Sequence, residues 1–454
     1  MCSQEIERRT ELKILSSSVN GLTGNQEGWI EGIPEAFRKY ADTVFSDDSA
    51  KTLPPVRPGY DCAIDIKENG RLKTCKLYDM SQKQLETLKA ILDEQLAKGF
   101  IEPSTAPHSA PVFFVTDKAS ASRGVDQLRL VVDYRDLNSQ VIDNEYPLPL
   151  IRTVMEGLSK AQYFTKFDVR AGFNNLRIKP GDEPKSSFKT PFGQFQYNVM
   201  PFGLKTAPAY FQHFINMVLG PYLNLFCFAY LDDIIVYSST LEKHEENTHL
   251  VLSALEKHGL HLKPSKCAWN VQEVSFLGFT AVAGKGIRMS DDKIQSLLNT
   301  PSPRNLTDLR SFQGLINFYD KFLPHYSDKS SVLTELTKKD TPFEWNDTRE
   351  TAFRALLEGI RKDVFLSAFD WTLPTQLETD ASDVAYGGCI SQLHTNGHWR
   401  PVVFFHHKFK EHEKNWDIHD KELYAIVYAF DRFRHYLANS PGNQPVKVYS
   451  DHRN

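Results

Sequence analysis

Asp232 and Asp233 lie side by side in "FAYLDDIIVYSS", Phe228 to Ser239, a run otherwise apolar and rich in strand-favouring residues. Two ionised carboxylates in a buried strand repel each other and lose hydration, at a cost of several kcal/mol. Such a pair persists at a turn that faces water, where Asp is favoured, or where a cation neutralises it. Apolar residues on both sides, with no Gly or Asn at the tip, suit a hairpin that points its tip at something. A third acid, Asp168, ends a strand pattern in "AQYFTKFDVRAGFNNLRI", and the helix pattern "PAYFQHFINMVLG" separates it from the pair. One strand, one helix and one hairpin can bring the three together. Three carboxylates around two Mg²⁺ ions are the usual apparatus of nucleotidyl transfer. One ion lowers the pKa of an attacking 3′-hydroxyl; the other binds the triphosphate and stabilises the leaving pyrophosphate. The charge problem then disappears, because the cations neutralise the acids.

The elements around these acids read as an α+β chain. "SQKQLETLKAILDEQLAKGF" is a helix with a capping box at Ser81 and Gln84, an apolar face of Leu85, Leu88, Leu92 and Leu96, and Gly99 to close it. "PVFFVTDKASASRGVDQLRLVVDYRDLN" is two strands joined by a polar, basic loop. "HLVLSALEKHGLHL" is a helix and "EVSFLGF" a short strand. "NLTDLRSFQGLINFYDKFL" spaces Leu306, Leu309, Phe312, Leu315, Phe318 and Phe322 along a helical face, and a new α/β pattern begins near Leu366. Residues 1–60 read as a linker with one short helix around Ile33 to Tyr40.

The 454 residues are 41% hydrophobic and 24% charged, a globular balance with room for about three domains. No run of 18 apolar residues occurs, so no membrane partner is expected, and "MCSQEIERRTELK" reads as too polar for a signal peptide. Cys2, Cys62, Cys75, Cys227, Cys267 and Cys389 are scattered without CxxC, which suits reduced thiols in an intracellular protein. His406, His407, His412 and His419 lack partnering cysteines and read as surface or packing residues. A net charge of -4 gives no hint of nucleic acid; such a partner needs a local basic groove.

"LRLVVDYRDLN", "FTKFDVRAGFNNLRI", "MPFGLKTAPAYFQ", "YLDD" and "FLGF", in that order, resemble the motifs of reverse transcriptases, in particular the gypsy-like class of LTR retrotransposon polyproteins. The resemblance runs from about Leu53 to the last residue. It implies a right-hand polymerase of fingers and palm (61–286) and helical thumb and connection (287–365), followed by an RNase H-like α/β domain (366–454). Residues 1–60 would then be the spacer that follows a protease. The activity implied is RNA-directed DNA polymerisation, with two Mg²⁺ ions, for which Mn²⁺ can substitute. Its partners are an RNA template, a DNA primer, an RNA–DNA hybrid and dNTPs, in the cytoplasm or in virus-like particles.

The family's roles fall on residues that match its motifs. Asp168, Asp232 and Asp233 resemble the metal-binding triad, and the Val169 carbonyl would help hold the nucleotide-bound ion. Phe173 stands at the aromatic steric gate, where a ring would clash with a ribose 2′-hydroxyl. Arg129 matches the fingers arginine that grips the triphosphate, with Lys118 or Arg123 of the unusually long loop "KASASRGVDQLRL" sharing the task. Phe202, Gly203 and Lys205 resemble the segment under nucleotide and template. Lys266 falls where the family has a lysine near the pyrophosphate, a candidate general acid. Phe276, Leu277 and Gly278 would form the primer grip.

In the C-terminal third, Asp380, Glu422 and Asp451 sit on a strand, a helix and a strand end, as in the two-metal site of an RNase H domain. Glu422 alone equally fits a helix-start charge on a solvated face. The helix "HDKELYAIVYAFDRFRHYL" would bury Leu423, Ile426, Val427, Phe430, Phe433 and Leu437. The sequence stops directly after Asp451, so this domain is expected to be C-terminally truncated and inactive as a nuclease. Two other readings compete: a non-catalytic retroelement remnant that binds primer-template, and a palm polymerase that makes RNA. The intact triad speaks against the first, and Phe173 with the RNase H-like segment against the second.

Overall fold

The structure, a computed structural model, describes residues 30–46, 52–116, 128–324, 326–361, 364–438 and 444–450. The chain divides into two compact units. The first takes the residues up to Pro149 together with Thr165–Val236 and Glu242–Trp269; the second takes Leu150–Phe164, Tyr237–Leu241 and everything from Asn270.

In the first unit, α1 (Gln82–Ala97) starts at the expected capping box: the Gln84 N–H donates to Ser81 Oγ and the Ser81 N–H to Gln84 Oε1. Gly99, at φ 68°, closes it. Leu88 and Leu92 are buried, and Leu96 packs beside them. A five-stranded sheet follows, built from β1 (Ile101–Pro103), β2 (Ala110–Thr116), β3 (Leu128–Val132), β5 (Phe188–Thr190) and β6 (Gly193–Tyr197) in the order β1-β6-β5-β2-β3. β2 and β3 are the antiparallel pair expected around the basic loop, with Val115 opposite Arg129. A second sheet has the order β7-β8-β4-β9, from β4 (Tyr163–Asp168), β7 (Cys227–Tyr230), β8 (Asp233–Ser238) and β9 (Ala268–Val271). α2 (Ala207–Leu219), with Pro208 in its first turn, and α3 (Leu241–Lys257) complete this unit.

The stretch read as a linker is partly core. Ile33, Phe37, Tyr40, Val44 and Phe45 are buried in the same cluster as Leu252, Leu255 and Leu262. Phe37 stacks on Trp269 at 5.1 Å, and Tyr40 Oη lies 2.8 Å from Ser253 Oγ. Those apolar residues are too few and too closely spaced to show a period, so their burial depended on a distant partner.

The second unit holds a β10-β11-β12 meander, with β10 (Glu273–Phe276), β11 (Phe279–Val282) and β12 (Gly286–Met289). Four helices follow: α4 (Asp291–Leu298), α5 (Leu306–Asn317), α6 (Tyr326–Glu335) and α7 (Asp347–Arg361). Its second sheet, ordered β15-β14-β13-β16, comprises β13 (Thr375–Ala381), β14 (Ala385–Leu393), β15 (Trp399–Lys408) and β16 (Lys447–Ser450), with α8 (Ile418–Arg432) against it. Residues 270–286 belong to this second unit, where Ile287 and Leu366 exchange backbone hydrogen bonds of 2.9 and 2.8 Å.

Two helical faces differ from expectation. α5 buries Leu309, Phe312 and Ile316, with Tyr319 beyond its end, while Phe318 is exposed. α8 buries Ala425 and Ala429, followed by Phe433, and leaves Leu423, Val427 and Phe430 outward.

Candidate active site

The first-unit acids converge because β4, β7 and β8 are neighbours in one sheet. Tyr230 pairs with Asp233, so Leu231 and Asp232 form a two-residue hairpin tip. Leu231 adopts φ 52°, a left-handed conformation that costs about 1 kcal/mol for a non-glycine residue. It is held there by Gln212 of α2, which is fully buried. Gln212 Oε1 accepts from the Leu231 N–H at 2.9 Å, and its Nε2 donates to the Ala229 carbonyl at 3.1 Å. This brace explains a tip without Gly or Asn. The sequence signal for it was a pair of amides, Gln212 and Asn216, one helical turn apart in the largely apolar "PAYFQHFINMVLG".

Asp168 ends β4, and the Val169 N–H donates to the Asp232 carbonyl at 2.8 Å, fastening the strand end to the hairpin tip. Each outer acid carries a lysine. Lys266 Nζ lies 2.9 Å from Asp168 Oδ2, and Lys166 Nζ 3.0 Å from Asp233 Oδ1. Between them, Asp232 has Oδ1 buried with no hydrogen-bond partner. Burial, then the charges of Asp168 and Asp233, push its carboxyl up to about 6, with Lys266 opposing. Among the described residues, no group of three or more His, Cys, Asp or Glu is arranged to hold a metal ion. An uncompensated, half-desolvated carboxylate flanked by two more is nonetheless a donor set suited to a hard divalent cation. Lys166 was not singled out from sequence; its position two residues before Asp168 puts both side chains on one face of the strand.

Gly172 makes room for this arrangement. A Cβ there would fall 1.9 Å from Asp232 Oδ1. Gly172→Val is therefore expected to displace the Asp232 carboxylate and cut any activity that depends on it about 100-fold or more, as loss of a positioned charge does, with an unchanged circular dichroism spectrum. Activity near the parent's would show that the carboxylate relocates freely.

Beside the acids runs a chain of rings. Phe173 contacts Phe202 at 5.0 Å and Phe211 at 5.7 Å between centroids. The Arg129 guanidinium lies 5.4 Å from the Phe202 ring. Asn175 fixes the Phe173 turn by donating to the carbonyls of Arg170 and Gly172. Asn138 fixes the Phe202 segment: its Nδ2 donates to the Gly203 carbonyl at 2.8 Å, and its Oδ1 accepts from the Lys205 N–H at 2.9 Å. Gly203 has φ 98° and close neighbours in Tyr134 and the Val132 carbonyl. Lys205 Nζ pairs with Asp143 at 2.8 Å. Lys118 and Arg123 lie outside the described residues. Neither asparagine was singled out from sequence.

In the second unit, Leu277 and Gly278 are the two-residue tip of the β10–β11 hairpin, at φ 53° and 83°. Two positive φ values define the turn type that matches strand twist. The Gly278 carbonyl accepts from Tyr319 Oη at 3.2 Å and from the Ser290 N–H at 3.0 Å. Phe276 is buried beneath the tip.

Asp380 sits on β13, and Glu422 on α8 reaches its neighbour. Glu422 Oε1 accepts from the Ala381 N–H at 3.0 Å and Oε2 from Ser450 Oγ at 2.9 Å. Glu422 is buried, so it is not a charge on a solvated helix start. Glu422→Ala is expected to destabilise the second unit by about 1–3 kcal/mol through the two donors it orphans, read as a lower urea midpoint; an unmoved midpoint would contradict a bracing role. Asp451 lies outside the described residues. His406 packs on Tyr326 with Nε2 3.3 Å from Asp320, and His407 stacks on Tyr428.

Residues 117–281 match the family model described as reverse transcriptase (RNA-dependent DNA polymerase), and residues 345–447 match that of an RNase H-like domain found in reverse transcriptase. The chain thus carries a reverse transcriptase domain over residues 117–281 and an RNase H-like domain over residues 345–447. It is 32% identical over 422 residues, 93% of its length, to the transposon Tf2-3 polyprotein of Schizosaccharomyces pombe, and 31% identical over the same length to the Tf2-7 polyprotein. It spans 31% of these curated relatives. Among solved structures it resembles a foamy viral protease-reverse transcriptase in complex with double-stranded DNA, with TM-score 0.76 and 20% identity over 96% of this chain and 74% of that one. The form of that enzyme in complex with an RNA/DNA hybrid gives TM-score 0.66 and 20% identity over 96% of this chain and 57% of that one. At this identity the likeness is one of fold.

Proposed function

We propose that the chain is the polymerase portion of a gypsy-like retrotransposon polyprotein, and that it joins dNTPs to a primer 3′-hydroxyl on an RNA or DNA template. The observation that carries this reading is the uncompensated Asp232 carboxylate at a braced hairpin tip, between Asp168 and Asp233. In this reading Asp168, Asp232 and Asp233, with the Val169 carbonyl, hold two Mg²⁺ ions, or Mn²⁺ in their place. Divalent ions there supply charge neutralisation of the triphosphate and acidification of the attacking hydroxyl.

The chain's own groups do the rest. Arg129, steadied on Phe202, grips triphosphate oxygens through its planar fork. Phe173 occupies the space a 2′-hydroxyl would need. Gly203 lets the backbone pass close to the nucleotide, and Lys205 adds positive charge there. Lys266 donates a proton to the leaving pyrophosphate. Phe276, Leu277 and Gly278 form the primer grip. An RNA template, a DNA primer and their hybrid are the partners, and the double-stranded DNA and RNA/DNA hybrid in the foamy viral complexes support that choice.

For the RNase H-like domain we propose Asp380, Glu422 and Asp451 as the metal-binding acids. We place the protein inside the cell, in the cytoplasm or in virus-like particles; the cysteines among the described residues, all free, suit that reducing setting. Primer extension on an RNA template with Mg²⁺ and dNTPs tests the main reading. Extension is expected. Primer-template binding without extension would favour a binding remnant instead.

A further inference from the structure

The acidic site contains cations of its own. Three carboxylates meet at the β4 end and the hairpin tip, and two of them are held by ammonium groups. The two lysines differ in how they are seated. Lys166 projects from within β4 and is 24% exposed, so its reach is limited by the strand that carries it. Lys266 ends a short 3₁₀ turn, Pro264–Lys266, and its side chain is 55% exposed, so it can leave Asp168 without exposing any packed surface. The backbone beneath it stays fixed, because the Lys263 N–H donates to the Asp168 carbonyl at 3.0 Å. Asp168 Oδ2 thus has one partner that is cationic, flexible and solvent-facing.

We propose that Lys266 is a built-in placeholder: its ammonium occupies the cation position at Asp168 in the metal-free protein, and divalent metal binding displaces it. The idea rests on the metal-site reading above. It adds that metal loading and release of Lys266 are one exchange, so the ammonium becomes available to the pyrophosphate only once the site is charged with metal. The exchange also removes the repulsion an unloaded acidic cluster would suffer, because the outer acids are never without a cation.

Amine footprinting of the full chain read by mass spectrometry, together with Mn²⁺ titration followed by electron paramagnetic resonance, tests this. Acetylation of Lys266 is expected to rise about two- to fivefold on adding Mg²⁺, the range for release from a solvent-exposed ion pair. Asp168→Asn should give the raised rate without metal, and Lys263 should not change in either case. Lys266→Met should bind its first Mn²⁺ tighter by about the same two- to fivefold factor, because the competing cation is gone. Labelling of Lys266 that Mg²⁺ leaves unchanged, or a parallel rise at Lys263, would overturn the exchange. So would unchanged or weaker Mn²⁺ binding by Lys266→Met. A failure of the underlying site looks different: Asp232→Asn would then bind Mn²⁺ as the parent does.

Discussion

Asp232→Asn is expected to abolish dNTP incorporation, by about 1,000-fold or more, while making the metal-free protein more stable at neutral pH. The first effect follows from removing the central charge of a metal site, worth roughly 4 kcal/mol in the transition state. The second follows from where that charge sits. Burial and the two neighbouring carboxylates raise the Asp232 carboxyl from 3.8 to about 6 in the folded chain. A raised folded-state value favours folding while the acid is protonated, and that advantage is lost as pH rises through about 6. At pH 7 the ionised acid therefore costs the metal-free protein about 1–2 kcal/mol, after allowance for its partial exposure. Asparagine removes that cost. Thermal melts in chelator should show the parent falling below the variant between about pH 4 and 6, by about 2–4 °C for each kcal/mol. Added Mg²⁺ should restore the parent and leave the variant unmoved. A variant that melts below the parent at pH 7 in chelator would make Asp232 a structural acid. Retained polymerisation would remove it from the site.

Phe173→Val is expected to lower the preference for dNTP over rNTP by about 10- to 200-fold, the discrimination one side-chain-sized steric difference gives in a pocket. The ring is positioned rather than loose: Phe202 and Phe211 contact it on two sides, and Asn175 pins the carbonyls of its turn. Valine shortens the side chain and opens the space a 2′-hydroxyl would enter. Because Phe173 is half-buried, some stability is also lost, about 1–2 kcal/mol. Competition between each dNTP and its ribonucleotide at a single template position separates the two effects. A lower melting temperature with unchanged sugar preference would reduce Phe173 to a packing residue.

The positions of the acids were legible because each belongs to a local pattern: a strand that ends at Asp168, and an apolar hairpin interrupted by Asp232 and Asp233. Local geometry was legible for the same reason at Ser81 and Gln84. What holds the acids, and the rings of Phe173 and Phe202 beside them, in place was not. Gln212, Lys166, Asn138 and Asn175 act on partners remote in sequence or on backbone atoms, and nothing in their spacing points to those partners. The burial of Phe37 and Phe45 depended on Trp269, far along the chain, which is why that stretch read as a linker. The expected faces of α5 and α8 held at Leu309, Phe312, Phe322, Phe433 and Leu437 but not at Phe318, Leu423, Val427 or Phe430, since periodicity shows that a helix has an apolar side but not which neighbours fit the surface it meets. Residue type and local spacing thus determined the chemistry this chain can attempt. Only the tertiary structure decided which charges are left uncompensated, because burial and opposing charge are sums over groups that sequence places far apart.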